Sequence, residues 1–163
     1  MGNDATAVFG GFSGQWKIAN TGLIAGREYG IYTADGSIAL RLQNDGVVQG
    51  GTNALALGSG NDVIFNNGTL TGLVELNDGN DIFRGLGGVQ GIVDGGNGND
   101  IILGGHGDDR LFGRAGDDLL SGGGGDDLAY GDAGLDLKPG GMGQTAFMAA
   151  MMPTLSKAVW GST

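Results

Sequence analysis

From Gly95 to Pro139 the chain reads in nines: GGNGNDIIL, GGHGDDRLF, GRAGDDLLS, GGGGDDLAY and GDAGLDLKP. The sixth residue of each is an aspartate: Asp100, Asp109, Asp118, Asp127 and Asp136. The fourth is a glycine: Gly98, Gly107, Gly116, Gly125 and Gly134. The eighth is apolar at Ile102, Leu111, Leu120 and Ala129, and Lys138 then breaks that column and ends the regular array. Self-similarity at a fixed short period marks a solenoid, in which each repeat buries almost nothing alone and stacking builds one continuous core.

A looser form of the repeat runs further back. GSGNDVIF holds Asp62 and NDGNDIFR holds Asp81. Asp62 to Asp81 and Asp81 to Asp100 are each 19 residues, and the later steps to Asp118 and Asp136 are each 18. One turn is therefore two half-turns of nine or ten residues. In the first turns only one half-turn carries an acidic loop. The other halves, TLTGLVE (Thr69 to Glu75) and GVQGIVD (Gly88 to Asp94), read as apolar strands with a central glycine.

Short strands alternate their side chains across two faces. That places Ile64, Phe83, Ile102, Leu111, Leu120 and Ala129 inward, with Val74 and Val93 on the other wall. Turns stacked about 4.8 Å apart pair their backbones. The loops reverse direction within six residues, which glycine's access to positive φ permits. An aspartate in every turn stacks like charges along one edge. A divalent ion between successive loops converts that repulsion into bridging, and calcium, which takes about six to eight oxygens, suits flexible cages of carbonyls and carboxylates. A solvated acidic face, or ordinary turn chemistry of Asp and Gly, is the plainer alternative.

The nines resemble the GGxGxDxUx nonapeptide of the RTX (repeats-in-toxin, haemolysin-type) calcium-binding family. The resemblance implies an all-β fold, a right-handed parallel β-roll or β-solenoid of stacked turns of 18–19 residues. It also implies calcium ions held between each loop and the loop one turn later, by both sixth-position carboxylates and by carbonyls of the glycine-rich positions. Carried onto this chain, one edge pairs Asp62 with Asp81, Asp81 with Asp100, Asp100 with Asp118 and Asp118 with Asp136, and the opposite edge pairs Asp109 with Asp127. Four junctions and one make five ions, whose charge would match the net −10 of the chain. The loop residues carried over as ligands are Gly58, Gly60, Asn77, Gly79, Gly96, Gly98, Gly104, Gly105, Gly107, Gly113, Gly116, Gly122 and Gly125. The fifth-position Asp108, Asp117 and Asp126 read as solvent-facing. The chain departs from the pattern at Leu57 and Leu76, which replace the first glycine, and at Asn77, which replaces the second.

Composition narrows the rest. Glycine numbers 38 of 163 residues, but proline only 2, which excludes collagen. With 40% hydrophobic residues, regularly spaced, a repetitive fold with tight turns is expected rather than disorder. The net charge of −10 argues against a nucleic-acid partner. Cysteine is absent, so neither disulfides nor thiolate metal sites are available. No apolar run is long enough for a transmembrane helix, and Met1 to Asp4 do not open a cleavable N-terminal secretion signal.

Outside the roll, assigned to residues 51–140, residues 1–50 read as an N-terminal β cap or irregular solenoid turns. Their strand-like pieces are Leu23 to Ala25, Tyr29 to Thr33, Ser37 to Leu42 and Val47 to Gln49. A partner site using Phe9, Phe12 and Trp16 is the alternative. Residues 141–163 read as a capping or secretion-related segment. Phe147, Met148, Met151, Met152, Leu155 and Val159 fall at roughly helical spacing, interrupted by Pro153, and two readings stand: a short helix capping the open end, or part of a C-terminal export signal.

No catalytic motif appears. The single histidine, His106, sits in a variable repeat position and reads as an exposed loop residue, so an HExxH site is excluded, and no GxSxG elbow is present. The expectation is a non-enzymatic, calcium-responsive module of a secreted bacterial protein at the cell surface or beyond, carried by type I export machinery and folding on extracellular calcium. The alternatives are the tail of a secreted enzyme and an adhesin or surface-assembly module.

Overall fold

The computed structural model describes residues 7–9, 15–33, 37–87, 89–137 and 144–149. Among them the chain is all strand and turn: β1 (Ala7–Phe9), β2 (Trp16–Asn20), β3 (Leu23–Ala25), β4 (Tyr29–Thr33), β5 (Leu40–Asn44), β6 (Val47–Ala56), β7 (Val63–Asn66), β8 (Thr69–Glu75), β9 (Ile82–Gly85), β10 (Val89–Gln90), β11 (Ile92–Asn97), β12 (Ile101–His106), β13 (Arg110–Ala115), β14 (Leu119–Gly124), β15 (Asp126–Ala133) and β16 (Gln144–Ala149). Two parallel sheets form the walls of a β-solenoid. The first runs β1-β4-β6-β8-β11-β13-β15-β16, with β3 added on β6 and β10 on β8, and the second runs β14-β12-β9-β7-β5-β2. No described helix is long and apolar enough to cross a membrane.

Register turns the repeat into a core. In the second sheet Leu42, Ile64, Phe83, Ile102 and Leu120 stack in one column. In the first, Ile31, Leu55, Val74, Val93, Leu111 and Ala129 stack opposite them. Every one of these side chains is buried, as the period-two reading expected. In β7, β9, β12, β13 and β14 the residues either side of the column are half-buried or exposed.

The turns shorten along the molecule. Turn-to-turn partners are 24 residues apart at Asn20 and Asn44, 22 at Asn44 and Asn66, 19 at Asp62 and Asp81, and 18 from Asp100 onward. The extra length of the early turns forms a third short wall: Leu23 pairs with Val47, Val47 with Thr69, and Leu70 with Val89. Strands β6 and β8 bend there, with register shifts between Gln49, Asn53 and Leu55. Val48 and Leu70 point in from this wall and thicken the core. The pieces expected at Leu23–Ala25 and Tyr29–Thr33 are strands with those bounds, the piece expected at Ser37 to Leu42 is the strand Leu40–Asn44, and β6 extends the piece begun at Val47 to Ala56.

One expectation needs correction. Gln144–Ala149 is a parallel strand on β15, with Asp126 opposite Gln144 and Ala129 opposite Phe147, so these residues do not begin a helix. Ala and Met favour helices in isolation, but the open edge of β15 offers a row of backbone partners, and tertiary context outweighs propensity. Phe12 and residues 150–163, with Met151, Met152, Pro153, Leu155 and Val159, lie outside the described residues. Trp16 packs half-buried against the core.

Candidate metal centre

Each acidic loop turns the corner between sheets. From the Asp81 loop onward, positions two and four of the nonapeptide adopt positive φ: Gly96, Gly105 and Gly123 at the second, and Gly79, Gly98, Gly107, Gly116, Gly125 and Gly134 at the fourth. Where the second position is not glycine the conformation persists, at Asn77 (φ 67°), Arg114 (82°) and Asp132 (64°). Left-handed backbone is costly for a side-chain-bearing residue other than Asn or Asp. Arg114 is held in it by a two-pronged ion pair to Asp94 at 2.6–3.1 Å and by the Phe112 ring, 4.8 Å from its guanidinium carbon.

Fourth-position glycines also set the stacking distance. A β-carbon on Gly98 would fall on the Gly79 carbonyl, and one on Gly116 on the Gly98 carbonyl. Successive loops can approach this closely only without side chains there. The fourth-position amide then donates to the third-position carbonyl of the next turn: Gly79 to Asn97, Gly98 to Ala115, Gly107 to Gly124 and Gly116 to Ala133, at 2.7–2.9 Å.

The sixth-position aspartates form a ladder. The Leu40 amide donates to Asp62 Oδ1 at 2.6 Å, Asp62 to Asp81 at 2.6 Å, Asp81 to Asp100 at 2.8 Å, Asp100 to Asp118 at 2.8 Å and Asp118 to Asp136 at 3.1 Å. On the opposite edge the Asp109 amide donates to Asp127 Oδ1 at 3.0 Å. Every proposed pair is thus brought together, including the two that involve Asp62 and Asp81. The substituting Leu57 and Leu76 are themselves buried in the core.

The second carboxylate oxygen is what the ladder leaves over. Oδ2 of Asp62, Asp81, Asp100, Asp109, Asp118 and Asp136 is buried without a hydrogen-bond partner. In Asp100, Asp109, Asp118 and Asp136 it lies over the first glycine of the same repeat, where a β-carbon on Gly95, Gly104, Gly113 or Gly131 would meet it. Burial pushes Asp62, Asp81 and Asp100 up to about 7, and Asp109 and Asp118 up to about 6, because the charged form loses its hydration. A backbone amide bond opposes this in Asp62, Asp81, Asp100 and Asp118 without cancelling it.

The donor set fits a hard cation: anionic oxygens one per turn, glycine carbonyls around them, and neither sulfur nor imidazole. No three acidic or imidazole side chains converge among the described residues, so a cation here draws on carboxylates in pairs and on backbone oxygen. Asn77 stands apart within the carried-over set. Its amide donates to the Leu57 carbonyl at 2.5 Å and its own carbonyl accepts from the Asn97 amide at 2.8 Å.

Residues 92–137 match the family model of the RTX calcium-binding nonapeptide repeat in four copies, over 92–120 and 104–137. This segment is an array of RTX calcium-binding repeats. The RTX roll is a structural, calcium-binding architecture and not a catalytic one. No curated protein and no solved structure matches the chain.

Two sets of residues were not recognised from the sequence as linking turns. Fifth-position side chains, of which Asp108, Asp117 and Asp126 read as solvent-facing, are exposed but also accept from the next turn: Asn61 from the Asn80 amide, Asn80 from Asn99, Asn99 from Asp117, Asp117 from Leu135, and Asp108 from Asp126, at 2.7–2.9 Å. Fifth and sixth positions thus lace each junction in opposite directions. The other set is a buried asparagine ladder at the corner that Asp109 and Asp127 occupy later. Asn20 Nδ2 donates to Asn44 Oδ1 at 2.7 Å, and Asn44 Nδ2 to Asn66 Oδ1 at 2.6 Å. The signal for it is Asn-x-Gly repeated at 20–22, 44–46 and 66–68.

Proposed function

We propose that the chain is a calcium-responsive structural module of a secreted bacterial protein, ordered by extracellular calcium after export. The observation that carries this reading is the buried, unpartnered Oδ2 recurring turn after turn within and beside the matched repeats. The carboxylates of Asp62, Asp81, Asp100, Asp109, Asp118, Asp127 and Asp136 would hold the ions with carbonyls of the intervening glycine loops. Bound calcium supplies the positive charge that these desolvated oxygens lack. Because a loose chain has no preformed site, binding free energy becomes folding free energy. Affinities roughly in the 10⁻⁴–10⁻³ M range of extracellular modules would keep the segment empty in a calcium-poor cytosol and filled outside. The role is structural, with any catalysis belonging to residues outside this chain.

The test is far-ultraviolet circular dichroism of metal-stripped protein during calcium titration, with magnesium as control. A cooperative gain of β signal with calcium alone supports the reading. A spectrum already folded and indifferent to calcium would remove the ions as a folding trigger.

A further inference from the structure

The outward face of the second sheet gathers three cations that the rest of the described structure leaves unneutralised. Lys17 on β2 and Arg41 on β5 stand side by side in register. Arg84 on β9 lies beside Phe65 of β7. The guanidinium carbons of Arg41 and Arg84 sit 5.5 Å and 5.8 Å from the Phe65 ring centre. Like charges adjacent across strands oppose pairing, and the chain has 18 acidic residues against 8 Lys and Arg with which to offset them. Yet none of the three has a carboxylate within ion-pair distance among the described residues, whereas Arg114 is gripped by Asp94 and approached by Asp132. Between Lys17 and Phe65 opens a cleft of about 400 Å³, lined also by Ile18, Ala19, Arg41 and Gln43. That volume lies in the range of small-ligand sites. Its composition is cationic on one side and aromatic or aliphatic on the other.

We propose that this cleft binds an organic oxyanion: a sulfate ester, phosphate monoester or carboxylate carried on a flat apolar body. The oxyanion takes the Lys17 and Arg41 donors, with Arg84 adding positive potential. The apolar body lies against Phe65 and the Ala19 side. The site stands apart from the acidic loops and does not depend on the calcium reading.

The probe is benzenesulfonate, followed by amide chemical shifts of the full chain in calcium, against inorganic sulfate (charge only) and benzyl alcohol (ring only). Saturable shifts centred on residues 17–19, 41–43 and 65 are expected. They should weaken about tenfold or more in Arg41→Gln, as for loss of a charge-assisted hydrogen bond. They should weaken less in Arg41→Lys and stay unchanged in Arg27→Gln, which removes an exposed cation elsewhere. Spectral dispersion away from the cleft reports that each variant is folded. Absence of saturable shifts, equal saturation by sulfate or by benzyl alcohol, or unaltered affinity in Arg41→Gln would overturn the proposal.

Discussion

The same corner of the solenoid is closed by asparagine in its early turns and by aspartate in its late ones. Asn20, Asn44 and Asn66 end their strands in register, and the next rung is Gly85. Beyond it the first-position glycines Gly104 and Gly122 make room for Asp109 and Asp127. An amide carries both a donor and an acceptor, so a buried column of amides satisfies itself: Asn44 accepts from Asn20 and donates to Asn66, Gly46 and Thr69. A carboxylate only accepts. Asp62, Asp81, Asp100, Asp118 and Asp136 each bind the amide of the preceding turn through one oxygen and leave the other buried without a partner, and Asp109 at the late corner likewise leaves its Oδ2 buried and unpartnered. The early corner is therefore complete as polypeptide, while the late corner, like the whole opposite edge from Asp62 to Asp136, is complete only with a proton or a cation.

The contrast can be broken from either side. The largest effect is expected at Asn44→Ala, which removes the middle of the amide ladder and leaves Asn66 Oδ1 without this donor inside the core. A loss of about 2–4 kcal/mol should appear in denaturant unfolding, equal with and without calcium. A loss that calcium abolishes would place the early corner among the ion-dependent ones.

Asp118→Asn should act with opposite signs in the two conditions. It removes a buried charge, so metal-stripped protein should gain roughly 1–2 kcal/mol. The calcium midpoint should rise about tenfold, because ligand charge sets affinity. Loss of stability in both conditions would make Asp118 a purely structural acceptor.

The pH dependence follows from the raised aspartates. Their folded values of about 6 to 7 lie above the ordinary 3.8, so the folded chain binds more protons than the unfolded one across that window. Metal-stripped protein should be most stable below about pH 4 and lose stability as pH rises through 6 to 7. Calcium competes with those protons, so its midpoint should fall over the same rise. Thermal unfolding across pH with and without calcium measures both slopes, and parallel slopes would contradict the assignment.

The smallest effect belongs to Asn77→Gly. Glycine relieves the left-handed backbone but loses the bond to the Leu57 carbonyl, and the two should cancel to within about 1 kcal/mol in chemical denaturation. A larger loss would mean that the Asn77 side chain, and not the loop conformation, holds the first acidic junction together.

Much of this was legible because period and chemistry coincide in the late turns. The inward column through Ile102 and Leu120 and the aspartate at each sixth position recur at one spacing, so a single rule locates both core and edge. The asparagine ladder escaped because its steps are unequal, 24 and then 22 residues, and because Asn44-Asp45-Gly46 is also an ordinary turn signal. The third wall was hidden for the same reason, since bends in β6 and β8 leave no simple alternation. The strand at Gln144–Ala149 was misread because its apolar residues suit a helix, and only the open edge of β15 decides otherwise.

The central claim is that the asparagine corner of the early turns holds itself while the aspartate corners of the late turns await cations. Amide hydrogen exchange of the full chain, metal-stripped and calcium-loaded, above the pH of about 7 reached by Asp62, Asp81 and Asp100, tests it most directly. Leu42 to Asn44 should stay protected in both states, while Leu111 and Leu120 should gain protection only with calcium. Loss of protection at both ends together on removing calcium, or at neither, would contradict the account.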